Sequence, residues 1–409
     1  MKSKAFIYIC ETCGREYEIT KDRMLCSHCR DQSLEGKPLR GVLKVKLPAS
    51  LGNSKRIGVQ FDLFDYLPVE REYFPPLPVG DTPLVEPANI RRTAGFQNLF
   101  LKFDGSNPTG SFKDRASYLV SAFAKKMEIG KIAVASTGNA ASSMAGVAAA
   151  AGQEVVIFMP AEAPRAKLVQ CLQYGATVVR VRGNYDVAFD LSLKFSERTG
   201  TLSRNTAYNP LTIEGKKTVA YELVRQLTGK HIDRVFLPVG DGVILSGVIK
   251  GFEDLKFIGL IDSIPKIIGV QAEGSSFIHK AFYKNIFELG YEAHTIADSI
   301  SVNAARNGYT AVSDLKRVAG EIILVSDTEI FDAQRALSSE SGIFCEPSSA
   351  ASFAGFLKQT STIAREENVV LLLTGHGLKD VDAAAKSLNF PPASEPDIET
   401  ILHSLGYPS

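Results

Sequence analysis

From about residue 79 onward the chain repeats one rhythm: a short β-branched run, a polar turn rich in glycine, then a helical stretch. KIAVAS leads to TGN and AASSMAGVAAAAG. EVVIFMP leads to the stretch around Ala163 to Gly175, and ATVVRVRG leads to NYDVAFDLSLKFSERTG. Further on, DRVFLPV precedes GDG and VILSGVIKGFEDL; KIIGVQAEG follows, and NVVLLLTGHG comes near the end. This alternation predicts an α/β protein with open, mostly parallel sheets and flanking helices. Ligands of such sheets bind beyond the carboxyl ends of the strands, so the polar turns are where chemistry is expected.

The chain has 409 residues, 45% apolar and 22% charged, enough for roughly two to three globular domains. With 46 basic and 45 acidic residues the net charge is +1, so no broad basic field draws the chain to nucleic acid or membrane. The first residues, MKSKAFIYIC, hold only a short apolar run, too short for a secretory signal. No stretch approaches membrane-spanning length, and a cytoplasmic location is expected.

Four of the six cysteines fall in two CxxC pairs, Cys10 with Cys13 and Cys26 with Cys29, separated by twelve residues. Each CxxC turn aims two thiolates at one point, and four thiolates close a tetrahedral shell around Zn²⁺. The spacing is that of a zinc ribbon, and a closed four-thiolate shell makes the metal structural. His28, inside the second knuckle, is a further donor that four cysteines make unnecessary. Cys171 and Cys345 stand alone and read as buried filler. Residues 31 to 78 are a transition that ends in the proline cluster Tyr73-Phe74-Pro75-Pro76-Leu77-Pro78.

Four polar turns are candidates to share one cleft. In Gly105-Ser106-Asn107-Pro108-Thr109-Gly110-Ser111-Phe112-Lys113-Asp114-Arg115, Lys113 lies where an amphipathic stretch from Ala116 to Met127 begins. A helix start carries partial positive charge, which disfavours an ammonium and suits an amine that must attack a carbonyl. Ser136-Thr137-Gly138-Asn139 offers hydroxyls, an amide and free helix N–H groups, a seat for a carboxylate. Gly240-Asp241-Gly242 precedes a helix, where backbone N–H groups and dipole favour phosphate. Thr374-Gly375-His376-Gly377 ends a strand, where a hydroxyl can reach a heteroaromatic nitrogen; His376 fits a structural role as well as a catalytic one.

In this order the turns resemble the threonine synthase branch of pyridoxal-phosphate enzymes with the tryptophan-synthase-β fold, PLP fold type II. The resemblance runs from roughly Gly80 to Asp380 and rests on GDTPLVEP, NPTGSFKDR, ASTGN, GNYDVAF, EGKKTVAYE, PVGDG, CEPSSAAS and LLLTGHGLKD. Some members also carry an N-terminal zinc ribbon. The resemblance implies a ribbon over residues 1–40, a linker over 41–78, a larger α/β domain from 79–105 and 205–409, and a smaller one from 106–204. It makes Lys113 the cofactor's Schiff-base lysine and catalytic base. Asn139 would bond the cofactor's phenolic oxygen, and Thr374 would face its pyridine nitrogen. The turn Gly240, Asp241, Gly242, Val243 and Ile244 would cradle its phosphate. Ser136, Thr137 and Asn139 would seat the substrate carboxylate, while Asn205, Asn209 and Lys217 fall in the substrate-phosphate region. A homodimer is implied as well.

The sequence departs from the family where substrate and phosphate bind. Ala116 stands for the usual Gly after KDR, and Ala140 for the usual Thr after STGN. Asp241 lies in a turn that is usually GN-x-GN; an acid facing a dianion is repelled, so its side chain is expected to turn away toward backbone N–H groups. The implied reaction converts O-phospho-L-homoserine and water to L-threonine and phosphate. Two alternatives stand beside it. One is elimination of water or ammonia from serine, threonine or diaminopropionate. The other is a partner- or nucleic-acid-binding protein on an inactive scaffold, against which the neutral charge and intact Lys113, Asn139 and Thr374 argue.

Overall fold

Two open sheets carry the fold in a computed structural model that describes residues 6–34, 37–52, 61–136, 138–163, 165–288, 290, 292–386 and 388–407. At the N-terminal end, β1 (Ile7–Cys10), β2 (Glu16–Glu18) and β3 (Leu43–Lys46) form a small antiparallel sheet in the order β2-β1-β3. β3 lies in the stretch read above as linker, yet it pairs with β1 along the whole of Ile7–Cys10. The Sγ atoms of Cys10, Cys13, Cys26 and Cys29 all lie within 4.8 Å of one another.

The larger sheet has six strands: β4 (Leu84–Val85), β5 (Leu99–Phe103), β10 (Arg234–Pro238), β11 (Lys266–Ala272), β12 (Glu321–Val325) and β13 (Val369–Leu373). Their order is β12-β11-β10-β13-β5-β4, and only the edge strand β4 runs antiparallel. The smaller sheet, β6 (Lys131–Ala135), β7 (Glu154–Pro160), β8 (Thr177–Val181) and β9 (Leu202–Ser203), is parallel throughout in the order β8-β7-β6-β9. The central strands are unbroken apolar runs because helices cover both faces: all five residues of β13 are buried.

Helices α1 (Ala88–Ala94), α6 (Leu211–Lys216), α7 (Thr218–Gln226), α8 (Val243–Phe257), α9 (Phe277–Lys284), α10 (Gly308–Arg317), α11 (Asp327–Ser341) and α12 (Pro347–Gln359) attend the larger sheet. Around the smaller one lie α2 (Lys113–Lys126), α3 (Asn139–Ala151), α4 (Arg165–Gln173) and α5 (Tyr185–Thr199). Small side chains in α3 let it lie close against α2, where the Ser143 hydroxyl donates to Ser117 Oγ at 2.7 Å. The small N-terminal sheet is seated on α10. Lys44 Nζ pairs with Asp314 Oδ1 at 2.5 Å with both groups buried, and the Arg40 guanidinium lies 3.8 Å from the Tyr309 ring centroid.

A buried charge cluster ties α2 to the larger sheet. The Arg115 guanidinium donates to Asp104 at 2.6 and 2.9 Å and to Glu222 at 2.5 and 2.8 Å. Lys102 Nζ, fully buried on β5, shares Glu222 at 2.7 Å. Burial raises the Glu222 carboxyl, but Arg115 and Lys102 outweigh it and hold it down at about 2. Its stabilising contribution is therefore complete above its ordinary value of 4.5 and is lost as pH falls toward 2. Glu222→Ala leaves two buried cations short of their partner, at a cost of about 3–5 kcal/mol. A urea titration will show a correspondingly lower midpoint, and an unchanged midpoint would remove the cluster's structural role.

Candidate active site

The carboxyl ends of β5, β6, β10 and β13 feed one cavity of about 290 Å³. Lys113, Ser136, Asn139, Gly240, Asp241, Gly242, Val243, Ile244 and Thr374 all line it. Thr137 lies outside the described residues.

Lys113 is the first residue of α2. Its Nζ has no hydrogen-bond or ion-pair partner among the described residues. Part of the side chain opens into the cavity, but protein surrounds it, and burial pulls its pKa down to about 8 against the opposing pull of Glu346 and Asp241. Burial, more than the helix start considered above, is what eases deprotonation.

The phosphate-type turn is shaped by two glycines. A Cβ on Gly240 would come within 2.9 Å of Ile300 Cα, and Gly242 holds φ at +85°, a region that favours glycine. Gly242 caps α8 without a side chain, so the first N–H groups of α8 have no capping side chain where Val243, Ile244 and Leu245 face the cavity. Asp241 does turn toward backbone: its Oδ1 accepts the Arg306 N–H at 3.1 Å. Burial raises its carboxyl, with Arg306, Lys113 and Lys216 pulling the other way.

On the opposite wall, Asn139 Nδ2 donates to both Glu346 oxygens at 3.0 and 3.1 Å and to Ser299 Oγ at 3.1 Å, while its Oδ1 is buried without a partner. Ser136 Oγ accepts the Gly138 N–H at 3.0 Å, shaping the turn before α3. Thr374 Oγ1 lies 3.2 Å from Ser349 Oγ, which in turn accepts the Gly375 N–H at 2.7 Å. His376 serves the backbone, its Nδ1 accepting the Leu378 N–H at 3.1 Å.

Three expected substrate residues are not brought to the cavity. Asn205 Oδ1 accepts the Ala135 N–H and its Nδ2 donates to Ser192; Asn209 bridges the Ser203 carbonyl and the Leu211 N–H. Lys217 is fully buried among Glu214, Asp254 and the Tyr66 carbonyl. Its neighbour Lys216 lines the cavity instead, together with Lys167 and Glu346, none of which the sequence singled out. Lys167 Nζ is paired with Asp298 Oδ2 at 2.5 Å. One signal for Lys216 was available: consecutive helical residues project about 100° apart, so only one lysine of EGKKT could face the cleft.

Residues 76–375 match the family described as pyridoxal-phosphate dependent enzyme. A threonine synthase of Methanocaldococcus jannaschii is 35% identical over 402 residues, covering 97% of this chain and 98% of its own. That of Methanosarcina acetivorans is 34% identical over 403 residues, with 97% and 98% covered. Among solved structures, the processed form of threonine deaminase isoform 2 from Solanum lycopersicum aligns with a TM-score of 0.66 at 24% identity, over 77% of this chain and 91% of that one, a likeness of fold. With its lysine-bearing cavity at the strand ends of two parallel sheets, and with relatives matched over nearly the full length, the chain belongs to the pyridoxal-phosphate dependent enzymes and, among them, to the threonine synthase family.

Proposed function

We propose that this chain converts O-phospho-L-homoserine and water to L-threonine and phosphate, with pyridoxal phosphate as cofactor. The observation that carries the reading is the cavity itself, whose lining brings Lys113 together with the start of α8, where no side chain caps the first N–H groups. The residues present fit the cofactor. Lys113 Nζ is an unpartnered amine for its aldehyde. The start of α8 seats an anion. Asn139 lines the cavity with its Oδ1 unpartnered, an acceptor for a ring hydroxyl, while its Nδ2 is held by Glu346 and Ser299. When bound, pyridoxal phosphate supplies an electron sink for negative charge at the substrate Cα.

Every other role belongs to the chain. The Gly240 to Ile244 turn and α8 hold phosphate through backbone N–H groups. Ser136, Thr137 and Asn139 seat the substrate carboxylate, and Ala140 adds no hydroxyl there. Thr374 presents a neutral hydroxyl, already engaged with Ser349, and therefore places no carboxylate at the ring nitrogen. Lys113, with its pKa drawn down by burial, takes the proton from Cα and moves a proton at Cβ. The γ-phosphate departs and water adds at Cβ. The reaction requires that water be held back until that step.

The N-terminal four-cysteine cluster is read as a structural zinc ribbon, since the closed set of thiols leaves no position for a substrate. The chain is further read as a cytoplasmic homodimer that binds neither nucleic acid nor membrane. No helix among the described residues is long and apolar enough to cross a bilayer.

Product analysis tests the reaction. Purified holoenzyme given O-phospho-L-homoserine will release phosphate and L-threonine in equal amounts. Absence of threonine, with 2-oxo acid formed from L-threonine or L-serine, would make this an elimination enzyme. Lys113→Ala will lose turnover altogether; retained turnover removes Lys113 from the mechanism. In the wild-type apoprotein, carbamylation of Lys113 by cyanate, followed by mass spectrometry, will rise with pH to a midpoint near 8, because the neutral amine reacts and is populated above its pKa. A midpoint at the ordinary 10.5 contradicts the drawn-down amine. Cys26→Ser will lose bound zinc and lower the melting temperature while leaving the cofactor's absorbance; metal analysis showing full zinc in the variant refutes the four-cysteine site.

A further inference from the structure

Lys216 ends α6 with a relative exposure of 1%, yet among the described residues its amine makes no hydrogen bond and no ion pair. The other buried lysines are all partnered: Lys44, Lys102, Lys167, Lys217 and Lys250 by carboxylates, and Lys379 by the Thr109 carbonyl and Ser142. An ammonium largely removed from solvent and given no protein acceptor is costly, and a lysine kept in such a place is a poor choice over a leucine or methionine unless a ligand meets it. Lys216 also differs from a lysine stranded in a core, because it borders the cavity.

The fold places this amine at one end of the cavity. The stem of Lys216 lies against the first turns of α8, so close that a Cβ on Gly247 would stand 2.6 Å from Lys216 Cβ. Lys216 therefore borders the cavity beside Gly240 to Leu245, the turn read above as the seat of the cofactor phosphate. Among the described residues the buried Arg204 guanidinium donates to Ser117, Thr206 and the Lys113 carbonyl and to no carboxylate. Burial, then Lys113 and Arg204, push the Lys216 ammonium well below its ordinary range, while Asp241 favours it. The charged groups that bear on Lys216 are Lys113 and Arg204 against Asp241, while Glu346 bears on Lys113 and Asp114 on Arg204. A phosphate dianion would restore the balance, and Lys216 would in turn offset the repulsion that Asp241 exerts on such a ligand.

We propose that Lys216 is the ammonium that binds the 5′-phosphate of pyridoxal phosphate at the start of α8, supplementing the backbone turn. The inference rests on reading the cavity as the cofactor site. The chemistry recognised is a phosphate monoester, and the substrate carries one too, so the test separates the two.

Apoprotein is titrated with pyridoxal phosphate and, separately, with pyridoxal, which lacks the phosphate, and the affinities are read from absorbance. Lys216→Met will weaken pyridoxal phosphate by about 10- to 100-fold and leave pyridoxal unchanged, the range set by one hydrogen bond to a charged group. Lys216→Arg will recover most of the loss. Equal weakening of both aldehydes, or of neither, overturns the proposal. So does an unchanged cofactor affinity with a raised KM for O-phospho-L-homoserine, which would assign Lys216 to the substrate's phosphate. Failure of the wild-type apoprotein to bind either aldehyde would instead overturn the cofactor site itself. If the methionine variant does not fold, a crystal structure of the cofactor-loaded wild type decides: Lys216 Nζ within about 3 Å of a phosphate oxygen supports the proposal, and a longer separation with no contact overturns it.

Discussion

The place of Lys113 is set two residues further on, at Arg115. Its guanidinium is locked between Asp104, just past the end of β5, and Glu222 on α7, so the first turn of α2 cannot shift without breaking a buried ion cluster. The carboxylate of Asp114, the residue between, accepts the Thr109 N–H at 2.8 Å and the Thr109 hydroxyl at 2.5 Å, fixing the loop that delivers α2. Successive helical residues point about 100° apart. Lys-Asp-Arg thus divides into one amine for the cavity and two charged anchors behind it. This is why a motif that reads as three polar residues at a helix start is almost wholly buried.

Much of the architecture was legible because it depends on local pattern. Apolar runs such as VVLLL are strands covered on both faces, and the turns after β6, β10 and β13 fall where the alternation put them. Lys113, Asn139, Asp241 and Thr374 were visible because each ends or follows a strand in a turn whose chemistry differs from ordinary loop filler. The four cysteines were visible from spacing alone. What was hidden depends on partners remote in sequence. To a reader of the sequence, helical geometry says that only one of Lys216 and Lys217 faces the cleft, but not which. Only Tyr66 and Asp254, brought in from the N-terminal extension and α8, show that Lys217 is spent on structure. Glu346 escaped notice because its role appears only when Asn139, some two hundred positions earlier, comes within 3.0 Å. β3 was hidden because pairing with β1, more than thirty positions earlier, makes the short run Leu43–Lys46 a strand.

The N-terminal sheet is joined to the catalytic body through the same residues that brace the cavity. Arg306, just before α10, donates its N–H to Asp241, and its carbonyl accepts the Leu39 N–H at 2.9 Å. Its guanidinium reaches Asp186 on α5 and lies 5.0 Å from the Phe189 ring. Next to it, Asn307 donates to the Gly242 carbonyl at 3.1 Å and to Ser246 at 2.7 Å. Two residues therefore connect the cysteine-bearing segment, the turn before α8, and a helix of the smaller sheet.

This arrangement gives the acid at position 241 a physical rationale. A carboxylate aimed at a bound phosphate would oppose it at short range in a poorly screened site. Directed instead at the Arg306 N–H, it fastens the turn to α10 with a bond stronger than a neutral amide would make, since charged acceptors form the shorter and tighter hydrogen bonds. The N–H groups at the start of α8, proposed above as the seat of a phosphate, would thereby be held in place by a side chain of the same sign as that ligand. Such a solution is tolerable only where cations outnumber the acid. On the proposal above, Arg204 and a Lys216 drawn into its charged form by a bound phosphate would supply that excess beside Asp241. The departure at Asp241 and the unpartnered lysine on α6 are thus two sides of one electrostatic balance.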